Sequence, residues 1–234
     1  MDKSERQSEI KSWFDNMYNR RGEYYLRPVK AYYIFLELLK ANQSHKLLDV
    51  ACGLGRLLEA GKEYGCDLSG IDISSVAVQK AQKKLPSAKI KVANAETLPF
   101  QNSSFDLITC LGSLERMIDL DLVLKELYRV GSDSARYCFL VRNSNTVSWK
   151  YIKKGLGLKN DAGHQGANSL QGWKDIFKNE KFNVLEVWPD QYPIFKKNKY
   201  LTLGLKKINY KVPIREKKTL EESNEFIFIL DKNV

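Results

Sequence analysis

Short apolar runs and amphipathic stretches alternate along most of this 234-residue chain. Runs such as 47–50 are short enough for buried parallel strands, whereas 29–40 repeats its apolar residues at helical spacing. We predict strands at 47–50, 66–72, 89–93, 105–110, 136–142, 182–188 and 225–231. We predict helices at 5–18, 29–40, 56–64, 76–85, about 119–131 and 170–179. This order predicts an α/β fold with a largely parallel sheet.

The composition, with 43% hydrophobic and 11% aromatic residues, is that of one globular domain. No apolar run approaches the roughly 20 residues that span a bilayer, and the charged N-terminus lacks the apolar region of a signal peptide. The cysteines at 52, 66, 110 and 138 show no metal-ligand spacing, and the chain has only two histidines. We therefore expect free buried thiols, no metal and a cytoplasmic location.

A turn of small residues follows the first predicted strand. Ala51, Gly53 and Gly55 alternate there, and a helical pattern begins directly afterwards. Such a turn lets the backbone approach a ligand closely, and the helix start offers free N–H donors. Asp72 ends the second predicted strand, where nucleotide-binding folds place a carboxylate on ribose hydroxyls. The two signals together predict a nucleotide-like ligand.

Two common nucleotide motifs do not fit this turn. A dinucleotide fingerprint starting at Gly53 needs glycine at position 58, which is Leu58, and no Gly-Lys-Ser/Thr of a P-loop follows. The sequence Asp-Val-Ala-Cys-Gly-Leu-Gly at 49–55 instead resembles motif I of the class I S-adenosylmethionine-dependent methyltransferases, which usually have Gly where this chain has Ala51. Segments 94–100, 105–115 and 121–130 resemble the family's adenine-binding segment, its fourth strand and loop, and the next helix. A nucleotide-binding fold with another ligand stays open as the alternative.

The resemblance implies a three-layer Rossmann-like sandwich. Its seven-stranded sheet would be mostly parallel, with the last strand inserted antiparallel between the fifth and sixth. Residues 1–234 would form one methyltransferase domain, with an N-terminal helical cap at 1–40 and a basic insertion at 191–224 between the last two strands. The aromatic N-terminal segment either covers the cofactor cleft, as in similar enzymes, or packs as core at the sheet edge.

The resemblance also implies S-adenosyl-L-methionine as the cofactor and S-adenosyl-L-homocysteine as its product. Asp49 would order the turn near the cofactor's ammonium group, and Asp72 would accept hydrogen bonds from the ribose diol. The backbone of Ala51, Gly53 and Gly55 would line the methionine group. Ile73, Asn94 and Ala95 would contact the adenine. Leu111 and Gly112 would lie near the methionine group and its sulfur.

Residues that act on the acceptor are harder to identify, because methyl transfer depends mainly on positioning two reactants. Glu115 lies just past the fourth strand and is a candidate catalytic residue. His164, in a glycine-flanked loop, is a candidate general base, although a loop histidine is often structural. Arg116 could bind a carboxylate or phosphate of the substrate, or it could be a solvated charge.

Much of the net charge of +10 lies in residues 191–220, which hold nine Lys/Arg and one acid, Glu216. We expect a small-molecule acceptor, such as a sugar, a glycan precursor, a quinone-like compound or another metabolite, and the acceptor could be anionic. The alternative is an RNA or protein methyltransferase, or a cofactor-binding protein without turnover, that uses this basic patch. Contact with an anionic membrane or lipid-linked substrate and a solvated insertion also stay open.

Overall fold

The computed structural model describes residues 2–21, 26–146, 166–191 and 219–233. His164 and most of the basic stretch lie outside these residues. The strands are β1 (Lys46–Val50), β2 (Asp67–Asp72), β3 (Lys89–Val92), β4 (Phe105–Leu111), β5 (Gly131–Arg142), β6 (Phe182–Pro189) and β7 (Glu225–Lys232). The α-helices are α1 (Lys3–Arg21), α2 (Tyr33–Leu38), α3 (Arg56–Glu63), α4 (Ser75–Lys84), α5 (Leu120–Val130) and α6 (Leu170–Asn179). Short 3-10 helices at Val29–Tyr32 and Leu114–Arg116 complete this part of the chain.

The strands form one seven-stranded sheet in the order β3-β2-β1-β4-β5-β7-β6. Strands β1 to β5 pair in parallel, and β7 is antiparallel to both of its neighbours. Val50 aligns with Ile71 of β2 and with Cys110 of β4, so these strands end at one edge of the sheet. The predicted fold class and the predicted position of the last strand are confirmed.

Helices cover both faces of the sheet, because the central strands are apolar on both sides. Leu47 packs in a buried cluster with residues of α2, α3 and α4, whereas its neighbour Leu48 packs with residues of α5 and α6. Trp173 and Phe177 of α6 are fully buried on the second side. The three-layer arrangement predicted from the sequence is therefore present.

Two element boundaries differ from the sequence prediction. The helix expected at 29–40 is a 3-10 turn followed by α2, and Lys40, at a φ of +58°, ends it. The fifth strand begins at Gly131 rather than at residue 136, because Gly131 caps α5 with extended backbone and continues directly into β5. The predicted free thiols are confirmed, since all four cysteines are buried and unbridged. None of the helices in the described ranges is long and apolar enough to cross a membrane.

Candidate active site at the carboxyl edge of the sheet

The turn after β1 enters the left-handed region of backbone space three times. The φ angle is +59° at Ala51, +52° at Gly53 and +75° at Gly55. Glycine adopts such angles without steric cost, whereas alanine loses about 1 kcal/mol. The Cys52 N–H donates to the Ile71 carbonyl at 2.8 Å and ties the turn to β2. The turn therefore keeps its left-handed path at residue 51 although the sequence has alanine there.

The two glycines of the turn face different neighbours. A Cβ added at Gly53 would lie 2.7 Å from the hydroxyl oxygen of Tyr18 in α1. A Cβ added at Gly55 would lie 3.2 Å from the Cβ of Ala81 and 3.3 Å from Leu85. Gly53 thus lies under α1, while Gly55 allows α3 to start close to α4. The expectation that the Gly55 backbone lines the methionine group stays a prediction.

The buried carboxylate of Asp72 connects β2 to the turn. It accepts hydrogen bonds from the Gly53 N–H at 2.8 Å and from the Ser74 N–H at 2.9 Å. Burial raises the pKa of Asp72 to about 6, although these N–H groups act in the opposite direction. Each carboxylate oxygen can accept more than one hydrogen bond, so a ribose diol can still be bound. The helix cap of α4 is Ser74, whose hydroxyl accepts from the Ala77 N–H.

A second buried carboxylate, Asp49, lies within β1. The hydroxyl of Thr109 on the neighbouring strand β4 donates to it at 2.7 Å. Burial raises the pKa of Asp49 to about 7, with a smaller contribution from Asp72, and the Thr109 hydrogen bond opposes this rise. An acid held in this state favours a cationic ligand, because a nearby positive charge restores the ionised form.

Helix α1 covers this edge of the sheet. The Asp15 carboxylate accepts from the Ser74 hydroxyl at 2.5 Å and from the Val76 N–H at 3.2 Å. The Lys80 ammonium donates to the Tyr18 carbonyl at 2.7 Å. At its other end, the Gln7 amide donates to Glu96 at 3.0 Å. Polar contacts at both ends therefore hold α1 across the turn and α4.

Two cavities lie beneath α1 and meet at five shared residues. The narrower one, of about 90 Å³, extends along the ends of β2 and β3. The wider one, of about 380 Å³, extends over the turn and the end of β4. The residues that line both are Phe14, Tyr18, Ala51, Ser113 and Arg116. This arrangement suits a ligand whose two ends differ in size and polarity, with one end in each cavity and the link between them above Ala51.

The predicted cofactor residues are divided between the two cavities. Asp72, Ile73, Asn94 and Ala95 line the narrow cavity, and Asp49, Gly53, Leu111 and Gly112 line the wide one. The Asn94 side-chain oxygen accepts from the Glu96 N–H at 3.1 Å, so part of its expected acceptor capacity toward adenine is already used. At Gly112, with a φ of +71°, no described atom lies within 4 Å of where a Cβ would stand.

Glu115, the catalytic candidate, is directed into the protein. Its carboxylate is buried and lies 3.9 Å from the Arg142 guanidinium, which also contacts Glu225 at 3.3 Å. Glu115 lines neither cavity described above. In this geometry Glu115 is an ion-pair partner of Arg142, and its expected catalytic role stays a prediction. His164 lies outside the described residues, and its role stays a prediction.

Several residues of the site carry weak sequence signals. The interpretation of Arg116 as a solvated charge is wrong, since its guanidinium lies 5.7 Å from the Phe14 ring centroid at the junction of the cavities. Phe14 and Tyr18, which stack with centroids 6.2 Å apart, show helical spacing but nothing that distinguishes a ligand contact from core. Thr109 looks like an ordinary strand residue, and only its register with Asp49 explains its role.

Comparison with known proteins agrees with this geometry. A family model described as a methyltransferase domain matches residues 48–139. The chain is 23% identical over 168 residues to the uncharacterised methyltransferase YcgJ of Bacillus subtilis, covering 69% of this chain and 66% of that protein. It is 37% identical over 156 residues to the ubiquinone/menaquinone biosynthesis C-methyltransferase UbiE of Rickettsia prowazekii, covering 62% and 54%. The chain thus spans about half to two thirds of these relatives.

Solved structures share the fold at lower identity. The structure of YcgJ superposes with a TM-score of 0.60 at 18% identity, over 86% of this chain and 96% of that one. A geranyl diphosphate C-methyltransferase from Streptomyces coelicolor, solved with S-adenosyl-L-homocysteine, gives a TM-score of 0.69 at 14% identity over 97% and 98%. Residues 48–139 therefore match a methyltransferase domain, and the strand order and the superpositions show that the chain has the fold of these methyltransferases.

Proposed function

We propose that this protein transfers a methyl group from S-adenosylmethionine to a small-molecule acceptor. The observation that carries the proposal is the pair of cavities that meet above Ala51, with Asp72 on one side and Asp49 on the other. The narrow cavity has the carboxylate and apolar wall that suit adenosine, and the wide one suits the methionine group and the acceptor. The cofactor would supply a methyl group bound to a sulfonium sulfur, and the neutral thioether that remains after transfer is a good leaving group.

The residues of this chain would act by holding and shielding the reactants. Asp72 accepts from the ribose hydroxyls, Ile73 forms an apolar wall for the adenine, and the backbone at Ala95 approaches its edge. Asp49 offsets the positive charge at the methionine end. Helix α1 excludes water with Phe14 and Tyr18, which lie over the point where the cavities meet. Acid–base chemistry is not needed for such a displacement when the acceptor is itself nucleophilic.

The position of helix α1 over the site supports a small-molecule acceptor. Phe14 and Tyr18 of α1 line both cavities, so this helix lies over the point where the cavities meet. Relatives point the same way, since their names describe ubiquinone biosynthesis C- and O-methyltransferases. The alternative, an RNA or protein methyltransferase or a binder without turnover, depends on residues 191–220, of which most lie outside the described residues. Retention on RNA, compared with retention on anionic liposomes, tests that alternative.

The organisation that we propose is one methyltransferase domain over 1–234, with 1–40 as its cap and 191–224 as a basic insertion. The cytoplasmic location and the contact with an anionic membrane or lipid-linked substrate stay predictions. They follow from the free thiols and from the charge of the insertion, respectively.

Calorimetry with S-adenosylhomocysteine tests the proposed cofactor. We expect micromolar binding, about −7 to −8 kcal/mol, and a loss of roughly 2 kcal/mol or more in Asp72→Ala because charged acceptors are removed. Asp67→Ala is the matched control, since Asp67 is an exposed residue at the other end of the same strand. Asp72→Asn separates loss of charge from loss of the turn's hydrogen bonds. Tight binding of NAD without binding of S-adenosylhomocysteine would contradict the proposal.

A further inference from the structure

Helix α1 contributes an amide side chain, Gln7, to the lining of the narrow cavity. Ile10, which lies one turn further along the same face of the helix, lines this cavity too. The three residues expected at the adenine, Ile73, Asn94 and Ala95, line the same space. Gln7 is therefore the amide that α1 brings to the end of the site where the base of the cofactor would lie.

The orientation of the Gln7 amide is fixed by Glu96. Its Nε2 donates to the Glu96 carboxylate at 3.0 Å. Glu96 is itself held in place, because it pairs with the Lys3 ammonium at 3.0 Å and accepts from the Asp119 N–H at 3.2 Å. A flipped amide would turn its carbonyl oxygen toward this carboxylate, and two acceptors repel each other. The amide nitrogen therefore faces Glu96, and the carbonyl oxygen faces away from it.

The rest of the Gln7 amide matches the polar edge of adenine. Its carbonyl oxygen accepts no hydrogen bond from the residues that the structure describes, and Nε2 carries a second N–H beyond the one given to Glu96. A side-chain amide offers an acceptor and a donor in one plane, which pair with the adenine amino group and the ring nitrogen beside it. Apolar side chains supply the walls for a flat base, namely Ile10, Ile73, Met117 and Ile118.

Asn94, the residue expected at the adenine from the sequence, has a local task. Its side-chain oxygen accepts from the Glu96 N–H at 3.1 Å, two residues further along the chain. Such a contact from a side chain to the backbone stabilises a turn. The acceptor that is left for the base is therefore on α1, more than 80 residues away in the sequence.

Resting on the proposed function, we propose that Gln7 recognises the adenine of the cofactor and that Glu96 positions Gln7 for this task. The Gln7 carbonyl oxygen accepts from the adenine amino group, and the second N–H of its amide donates to the neighbouring ring nitrogen. Helix α1 thus selects the base of the cofactor in addition to covering the site.

The test compares S-adenosylhomocysteine with S-inosylhomocysteine, which has an oxygen in place of the adenine amino group. Calorimetry on the wild-type protein should show about tenfold tighter binding of the adenosyl compound, because the inosyl oxygen meets the Gln7 carbonyl. Gln7→Ala should lower the affinity for the adenosyl compound by most of this factor and should not lower the affinity for the inosyl compound. Ser8→Ala, at the exposed neighbouring position of α1, is the control and should keep the full preference.

Glu96→Gln tests the positioning role. A neutral amide at position 96 can donate as well as accept, so Gln7 can turn over and present its N–H groups to the inosyl oxygen. We expect the preference for the adenosyl compound to shrink in this variant, although the side chains at positions 7 and 96 keep their size. A full preference in Glu96→Gln would show that Glu96 does not orient Gln7.

Three results would overturn the recognition of adenine by Gln7. The first is equal binding of the two compounds by the wild-type protein. The second is an equal loss of both affinities in Gln7→Ala, which would show that Gln7 only holds α1 in place. The third is a preference that survives Gln7→Ala and disappears in Asn94→Ala, which would assign the base to Asn94. Binding of S-adenosylhomocysteine to the wild-type protein is measured first, and its absence would mark failure of the proposed function itself.

Discussion

Removal of the Asp15 carboxylate should loosen α1 without unfolding the protein. Asp15 accepts hydrogen bonds from the Ser74 hydroxyl, the Val76 N–H and the Ser75 hydroxyl, at 2.5, 3.2 and 3.3 Å. Burial alone would raise the pKa of Asp15, but the hydrogen bonds from Ser74 and Val76 outweigh it and lower the pKa overall. The carboxylate is therefore ionised at neutral pH and acts as a second cap on the start of α4.

The size of the effect follows from these three contacts. Loss of a capping hydrogen bond costs about 1 kcal/mol, and the partly exposed hydroxyl contacts add about 0.5 kcal/mol. We expect Asp15→Ala to weaken docking of α1 by about 1 to 2 kcal/mol, which raises the undocked fraction by roughly five- to thirtyfold. The core should be unaffected, because Tyr18 is the one buried residue among the 19 of α1.

Limited proteolysis and calorimetry measure this change. Cleavage within α1 should become faster in Asp15→Ala and should slow again when S-adenosylhomocysteine is added, because α1 forms part of both cavity walls. Affinity for S-adenosylhomocysteine should fall by no more than the docking energy. Glu9→Ala, an exposed acid on the same helix, should change neither quantity. Unchanged cleavage in Asp15→Ala, or a large fall in its melting temperature, would show that α1 is not held in this way.

Three further predictions concern the turn, its acids and the basic segment. Gly53→Val should abolish binding of S-adenosylhomocysteine in calorimetry while circular dichroism shows a folded protein, because the new side chain occupies the space under α1. Normal binding by this variant would show that the ligand does not lie at this turn. The raised pKa of Asp49, about 7, means that the folded protein holds a proton that the unfolded chain has lost. The free energy of unfolding should therefore fall from about pH 4 to about pH 7, by up to about 1.4 kcal/mol per pH unit, while cofactor affinity rises. Urea unfolding of Asp49→Asn should lack that part of the slope, and an identical slope would refute it. Replacement of Lys196, Lys197 and Lys199 by Ser should leave the melting temperature nearly unchanged. It should weaken binding of an anionic acceptor, and this loss should be smaller at high salt because the charges are screened. A large fall in melting temperature would show that the segment has a structural role.

The fold was predictable because its signals are local and repeated. Leu47 and Leu48 belong to a run that is apolar on both faces, and only a covered parallel strand uses such a run. Asp72 was predictable for the same reason, since it ends the next run of this kind. Their side-by-side position follows from parallel pairing in register, Leu47 with Leu68 and Leu48 with Ser69. The sequence therefore contains enough information for the strand end and the carboxylate that line the narrow cavity, Ile71 and Asp72.

The acceptor side was not predictable at the same level, because single backbone angles decide it. Glu115 and Arg116 are neighbours, and from the sequence either could face the cleft. In the 3-10 turn, Glu115 points inward to Arg142 and Arg116 points toward Phe14. Gly55 is similar, since only the position of α4 shows that it serves packing. No spacing rule encodes which of two adjacent side chains faces a ligand.

The N-terminal segment illustrates a second limit, which is that a covering helix needs partners far away in the chain. Cover and core were equally open from the sequence, because the aromatics of α1 fit both. The contacts that decide between them join Asp15 to Ser74 and Gln7 to Glu96, across 59 and 89 residues. Both contacts are polar, so they leave no hydrophobic pattern in the sequence.

The carboxyl edge of the sheet is also where the described flanks of the basic segment meet. The Arg27 guanidinium donates to both oxygens of Asp190, at 2.8 and 2.9 Å, and to Glu225 at 2.9 Å. Asp190 follows β6 and Glu225 starts β7, so one buried cation joins the two strand ends that border residues 192–218. Removal of one member of such a cluster leaves a buried charge uncompensated, which costs several kcal/mol. The prediction that the basic segment lies at the rim of the cleft rests on these two anchors, because both hold the chain at the edge where the cavities open.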